Sequence, residues 1–327
     1  MAQSDPATPA FDLARRRFLV TGGAGFIGSH IVRSLVERGA QVRVLDLLSS
    51  GRRENLAAVA DRVDLMVGDV ADPATVRAAV DGAEYVLHLA ALVSVPESVE
   101  RPERNFEVNL AGTQHVLMAA RAAGVRRVVF SSTCAVYGDH APPHHEQLAP
   151  RACSPYAAAK LGGEQLCRAF SQVYGLPTVC LRYFNVFGPG QNPRGGYAAA
   201  IPLFISALLA GQPPQIFGDG LQTRDFVYVA NVVQANLLAC VSDQAVGEVF
   251  NIGTGQQTNL RELLGLLAGM VGRTVAPTYR AERAGDIRHS YGDISHAAGR
   301  LGYQPRVGLA EGLRETLAWY QAHGSSF

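Results

Sequence analysis

Phe18-Leu19-Val20-Thr21-Gly22-Gly23-Ala24-Gly25-Phe26-Ile27-Gly28-Ser29-His30 is the stretch whose reading decides the fold. An apolar run opened by Arg16-Arg17 passes directly into Gly22, Gly25 and Gly28, spaced three apart. Ile31, Val32, Leu35 and Val36 follow at helical spacing. Strand, tight glycine turn and helix form an arrangement in which backbone can approach a pyrophosphate. The helix N-terminus there offers free N–H groups and the positive end of its dipole. The next apolar run, Gln41 to Leu45, ends at Asp46, 18 residues beyond Gly28. A carboxylate at that point accepts hydrogen bonds from the adenosine ribose and repels a 2′-phosphate, which selects NAD over NADP.

Outward from this stretch the alternation continues. Val63 to Val67 reads as a third strand, with Asp69 just past its carboxyl end, where doubly wound sheets place ligands. Asp72-Pro73 reads as a helix start, an N-cap carboxylate followed by a proline that needs no N–H. Tyr85 to Ala91 is a fourth strand, Asn105 to Ala122 an amphipathic helix containing Asn109, Arg126 to Ser131 a fifth strand and Pro177 to Arg182 a sixth. Repeated βαβ units predict an α/β fold, a doubly wound parallel Rossmann sheet with right-handed crossovers. From Gly188 onward Gly, Pro, Asn and Arg crowd the chain and the alternation loosens. The expected organisation is a loose tail over 1–15, a dinucleotide-binding domain over 16–187 and a smaller mixed α/β substrate domain over 188–327.

Composition narrows the function. The chain has 327 residues, 48% hydrophobic and 17% charged, with a net charge of +1. This gives no electrostatic ground for nucleic-acid or anionic-membrane binding. Cys134, Cys153, Cys167, Cys180 and Cys240 show neither zinc nor disulfide-framework spacing. No apolar run has the length of a membrane span, and the first residues lack a signal-peptide core. A reduced, cytoplasmic enzyme is the expectation. His88, inside an apolar strand, reads as a core imidazole. His140, His144 and His145 lie in a proline-rich loop, with no carboxylate spacing to support a metal, and read as solvated.

The chemistry centres on Tyr156-Ala157-Ala158-Ala159-Lys160. Residues four apart share a helix face. A phenol titrating near pH 10 is a poor base at neutral pH, and an adjacent ammonium favours its phenolate. The pair could remove a proton from a substrate hydroxyl and return it. Ser131, Ser132 and Thr133 supply hydroxyls at the end of the fifth strand, upstream of Tyr156.

Together these features resemble the extended short-chain dehydrogenase/reductase superfamily, over essentially the whole chain from about residue 16. Within it, Phe130-Ser131-Ser132-Thr133-Cys134-Ala135-Val136-Tyr137-Gly138, Leu181-Arg182-Tyr183-Phe184-Asn185 and Gln222-Thr223-Arg224-Asp225-Phe226-Val227-Tyr228-Val229 resemble the nucleotide-sugar 4-epimerases. The resemblance implies that Tyr156 is the base, Lys160 its partner, and Thr133 the occupant of the family's catalytic serine position. It implies NAD contacts from Gly22, Gly25, Phe26, Ile27, Gly28, Asp46, Ser50, Gly51, Asp69, Val70, Leu89, Ala90, Ala91, Asn109, Ser131, Tyr156, Lys160 and Tyr183. It implies UDP-sugar contacts from Ser132, Thr133, Tyr156, Asn185, Gln191, Ala199, Phe217, Arg224, Arg283, Asp286 and Ser290. The two arginines would face the diphosphate, with charge-assisted hydrogen bonds to its oxygens. The reaction implied is abstraction of the sugar O4 proton with hydride loss from C4. The 4-keto sugar then turns over, and hydride returns to its other face. A homodimer through the helices at 105–122 and 155–172 is also implied.

The resemblance extends to the sugar. Seven residues past Arg283 the family carries a gate, bulky when an N-acetyl group is excluded; here it is Ser290, with Tyr291 next. Phe187-Gly188-Pro189-Gly190-Gln191-Asn192-Pro193 and Tyr197-Ala198-Ala199-Ala200-Ile201-Pro202 also resemble epimerases of N-acetylated sugars. The leading expectation is interconversion of UDP-GlcNAc and UDP-GalNAc with activity on UDP-Glc/UDP-Gal, in precursor supply for surface polysaccharide. A UDP-glucose 4-epimerase, a UDP-uronic acid 4-epimerase and a decarboxylase stay open. So does a non-enzymatic NAD- or nucleotide-sugar-binding regulator. A 4,6-dehydratase is disfavoured, because those enzymes follow the threonine with an acid pair and here Cys134-Ala135 follows it.

Overall fold

The computed structural model describes residues 13–193, 199–273, 275–282 and 287–324. The first half contains β1 (Arg17–Thr21), α1 (Phe26–Glu37), β2 (Gln41–Asp46), β3 (Val63–Val67), α2 (Pro73–Val80), β4 (Tyr85–His88), α3 (Val95–Glu100), α4 (Pro102–Phe106), α5 (Gly112–Ala122), β5 (Arg127–Thr133), α6 (Pro155–Tyr174) and β6 (Thr178–Tyr183). The second half contains β7 (Asn185–Phe187), α7 (Ala200–Leu209), β8 (Gln215–Phe217), β9 (Thr223–Arg224), β10 (Phe226–Tyr228), α8 (Val229–Val241), β11 (Val249–Ile252), β12 (Thr258–Asn259), α9 (Leu260–Val271), β13 (Thr278–Arg280), β14 (His289–Ser290), α10 (Ser295–Leu301) and α11 (Leu309–His323).

Seven parallel strands form one sheet in the order β11-β6-β5-β4-β1-β2-β3. The order reverses between β1 and β4, which opens a crevice at their carboxyl ends. Both faces are covered, so the strands are apolar almost throughout. One core joins Ile31, Val32 and Leu35 of α1 to Val232, Ala235 and Leu238 of α8. On the other face Val76 and Val80 of α2, Val116 and Leu117 of α5 and Cys167 and Phe170 of α6 pack together. A third core, with Phe204 of α7, Leu263 of α9 and Leu313 of α11, fills the second half.

Local signals set the helix ends. Asp72 accepts from the N–H groups of Ala74 (3.0 Å) and Thr75 (3.2 Å), with Pro73 at the first helical position. Ser154 caps α6 through the Ala157 N–H at 3.1 Å, and left-handed Gly175 ends it. The helix expected over 105–122 starts earlier, at Pro102, and is interrupted by a π-turn over Glu107–Ala111 that carries Asn109. Such a turn inserts one residue and redirects the side chain it carries.

Two expectations are corrected. The break near 187 is not where the chain leaves the sheet. Residues 229–252 return to it as α8 and β11, and β11 satisfies the edge of β6. His144 is not solvated but 1% exposed, stacked 4.7 Å from the Tyr137 ring, with its N–H on Tyr291 O at 2.9 Å. Long-range pairing of this kind leaves no local sequence period. No helix among the described residues is long and apolar enough to cross a membrane.

Candidate active site

At Gly22 the backbone is left-handed (φ +70°), and a Cβ there would lie 2.7 Å from Ala90 N. A Cβ on Gly28 would lie 2.1 Å from Gly22 O. Only hydrogens fit, so the turn closes against the segment after β4. Gly25 caps α1 without a side chain, leaving the first-turn N–H groups open to an anion. Asp46, at the end of β2, accepts from Ala24 N (2.9 Å) and Leu48 N (2.8 Å). A Cβ on Gly51 would come within 2.8 Å of both its oxygens, and Ser50 beside it is exposed. These are the cradle and the acid that NAD requires, and the residues fit it.

The cofactor-side expectations are distributed around this turn. Asp69 accepts from Ala71 N at 2.9 Å and is ion-paired with Arg104 of α4, which the sequence reading did not single out. The Val70 side chain is buried against α2 and α5. Asn109 Oδ1 accepts from Leu92 N at 2.9 Å and its Nδ2 donates to Leu92 O at 2.9 Å. The π-turn therefore clamps the segment after Leu89, Ala90 and Ala91. Phe26, half-buried as Ile27 is, faces Gly188, so the loop after β7 lies over the glycine turn. Tyr183 is buried, its hydroxyl bonded to Asn236 Oδ1 at 3.0 Å and to Ser131. His88 is a core residue: Nδ1 meets Thr21 Oγ1 at 2.7 Å, Nε2 meets Thr113 Oγ1 at 3.1 Å, and burial pushes its pKa down to about 3.

Thr133, Tyr156 and Lys160 are brought together. Tyr156 lies in the first turn of α6, its N–H donated to Ser98 Oγ at 3.2 Å and its hydroxyl hydrogen-bonded to Thr133. Lys160, 2% exposed, donates from Nζ to Ser131 O at 2.8 Å, above the Phe130 ring at 4.8 Å. Burial pushes the Tyr156 phenol up to about 12, against the pull of the Thr133 hydrogen bond. Burial also draws Lys160 down to about 8, opposed by Cys167 and Glu164. The expectation that Lys160 lowers the phenol pKa is thus corrected, because desolvation of the phenol dominates.

Ser132 is corrected as well. It is 3% exposed and donates to Glu164 Oε1 at 2.5 Å. Alternation along β5 turns it away from the face of Ser131 and Thr133.

On the substrate side, Arg224 of β9 stands in register with Ser290 of β14. Its Nη1 donates to Thr223 O at 2.9 Å. The Ser290 hydroxyl reaches the thiol of Cys134, the residue after Thr133 and one that sequence reasoning gave no site role. Adjacent residues of an extended chain face opposite ways, which turns Tyr291 from that contact. Asn185 opens β7, half-buried, its N–H on Asp225 O at 2.9 Å. Gln191 donates from Nε2 to Val186 O at 3.1 Å, while its buried Oε1 has no hydrogen-bond partner among the described residues. Ala199 caps α7 and Phe217 ends β8. Arg283 and Asp286 lie outside the described residues. Among the described residues no group of His, Cys, Asp or Glu is arranged to hold a metal ion.

Comparison with known proteins agrees with this fold. Residues 18–253 match the NAD dependent epimerase/dehydratase family. A UDP-glucose 4-epimerase of Mycolicibacterium smegmatis is 42% identical over 310 residues, covering 93% of this chain and 98% of that protein. The structure of a UDP-N-acetylglucosamine 4-epimerase from Methanobrevibacter ruminantium, in complex with UDP-N-acetylmuramic acid, superposes with a TM-score of 0.91 at 39% identity, covering 95% of this chain and all (100%) of that one. A Thermus thermophilus UDP-glucose 4-epimerase in complex with NAD gives 0.86 at 39% identity, covering 94% of this chain and 100% of that one. By fold, glycine turn and sequence, the chain belongs to the NAD dependent epimerase/dehydratase family of the extended short-chain dehydrogenases/reductases, as an NAD-dependent UDP-sugar 4-epimerase.

Proposed function

We propose that the enzyme interconverts UDP-GlcNAc and UDP-GalNAc, with activity on UDP-Glc and UDP-Gal. One observation carries this reading: the residue in register with Arg224 is Ser290, 5% exposed and small, and not Tyr291. A small wall leaves room for an acetamide, whereas a pocket cut to a hydroxyl rejects one sterically. The Gln191 Oε1, buried and without a hydrogen-bond partner among the described residues, adds an acceptor suited to an amide N–H.

In the proposed mechanism Tyr156 takes the O4 proton and returns it, and Thr133 holds the same oxygen. Lys160 lends positive charge while tied to Ser131. The cofactor supplies hydride exchange at C4. Asn185 and Arg224 grip the nucleotide diphosphate, so the 4-keto sugar can turn over without leaving. Burial raises the Tyr156 phenol, so the phenolate that accepts the O4 proton needs positive charge close by, which Lys160 and the bound cofactor would supply.

A homodimer is part of the proposal. Phe106 and Met118 are exposed apolar side chains within the helical stretch 105–122 expected to pair, and Val99, Val173 and Tyr174 are exposed apolar side chains on α3 and at the end of α6. Light scattering that gives a monomer mass at micromolar concentration would remove the dimer.

Proton NMR of the protein with UDP-GlcNAc and, separately, UDP-Glc tests the substrate. Conversion of UDP-GlcNAc to its C4 epimer is expected. Conversion of UDP-Glc alone would overturn the N-acetyl reading, in line with the activity named for the Mycolicibacterium relative.

A further inference from the structure

Glu164 and Arg182 form a buried ion pair that takes no part in the chemistry above. Their side chains are 1% and 4% exposed. Arg182 donates from Nε to Glu164 Oε1 at 2.8 Å and from Nη2 to Oε2 at 2.7 Å. Strand register places Ser132 of β5 beside Arg182 of β6, and Arg182 beside Asn251 of β11. Three polar residues thus form a row across the sheet. The next row on the same face is Phe130, Cys180 and Val249.

Stability alone does not account for such a row. Desolvating two charges consumes much of their attraction, and apolar residues of similar volume often serve as well. What the row does is join elements. Glu164 is one turn beyond Lys160 on α6 and also accepts from Ser132 Oγ at 2.5 Å. On either side of Ser132, the Ser131 carbonyl holds Lys160 and the Thr133 hydroxyl meets Tyr156. At the other end the Arg182 guanidinium lies 4.8 Å above the Tyr137 ring, and the Tyr137 hydroxyl donates to Asn251 Oδ1 at 2.6 Å. Asn251 Nδ2 then donates to His144 O (2.9 Å) and Asp293 O (3.1 Å), and His144 N–H to Tyr291 O (2.9 Å). Tyr291 directly follows Ser290.

We propose that Glu164 and Arg182 are positioning residues for epimerisation: they lock the helix bearing Tyr156 and Lys160 to β5 and, through Tyr137 and Asn251, to the strand bearing Ser290. The spacing between proton-transfer pair and sugar wall then holds while the sugar reorients. This rests on Tyr156 and Lys160 being that pair.

The test is the double variant Glu164→Met/Arg182→Met, which removes both charges and keeps the volume. It is assayed on whichever UDP-sugar the wild type converts, with melting temperature, kcat and KM measured together. The expected result is an undiminished melting temperature and an unchanged KM, with kcat lowered on the order of 10²-fold, as for a misplaced catalytic group. Should the double variant fail to fold, Tyr137→Phe deletes only the hydroxyl that links to Asn251. Several-fold loss of kcat at constant KM is then expected. A folded variant with wild-type kcat, in either case, overturns the proposal. Tyr156→Phe is run in parallel. If that variant turns over like the wild type, the assignment of the base is what fails. If it is inactive while the double variant is active, the positioning role is what fails.

Discussion

Lys160 Nζ lies 2.8 Å from the main-chain oxygen of Ser131, so the ammonium is held by the strand that also presents Thr133. Its position is set by β5 and its charge by burial. The residue therefore acts as an oriented, partly destabilised cation in a low-dielectric site, where a fixed charge counts for more than in water.

Tyr156→Phe removes the proposed base while leaving the ring. Turnover is expected to fall roughly 10²–10⁴-fold, the range for loss of a general acid–base group. NAD should stay bound, because the glycine turn and Asp46 are untouched. Turnover by NMR and cofactor content by absorbance check both. The pH profile has a sign as well. Lys160, drawn down to about 8, is charged below that pH and loses its proton as pH rises through it, so activity should decline on the alkaline side.

Asp46→Asn keeps the shape and removes the charge. The lost charge-assisted hydrogen bonds, about 1.5–3 kcal/mol, should weaken NAD roughly 10–100-fold. Discrimination against NADP should narrow, since the 2′-phosphate no longer meets a carboxylate. Calorimetric titration with both cofactors measures it. Undiminished preference for NAD would place the selectivity elsewhere.

Ser290→Tyr fills the space beside Cys134. Conversion of UDP-GlcNAc should fall at least about tenfold, a steric rejection, while UDP-Glc turnover changes far less. Equal losses on both substrates would show that Ser290 does not select between them.

His88 carries a stability prediction. Its folded pKa of about 3 lies below the ordinary value of 6.5, so the unfolded chain binds the proton first as pH falls. Stability should be full above pH 6.5 and decline toward pH 3, at about 1.4 kcal/mol per pH unit from this group. Thermal melts of wild type and His88→Asn between pH 7 and pH 4 test the sign. The variant should start less stable and depend less steeply on pH.

Several features could be read along the chain because their physics is local. The glycine spacing after β1, the four-residue step from Tyr156 to Lys160 and the Asp72-Pro73 helix start each follow from backbone geometry within one turn. Asp46 follows from strand length and the βαβ repeat. These suffice for the doubly wound sheet and the cofactor.

What the sequence does not show is set by residues far apart in it. Arg104 on Asp69, Cys134 on Ser290 and the row Ser132, Arg182 and Asn251 each join elements brought together only by strand order and register. The seventh strand returns after a long excursion and leaves no periodic trace. Protonation behaviour is likewise tertiary: Tyr156 is raised and Lys160 lowered because the fold removes both from water, and the direction of a pKa shift depends on that burial more than on the neighbour's charge.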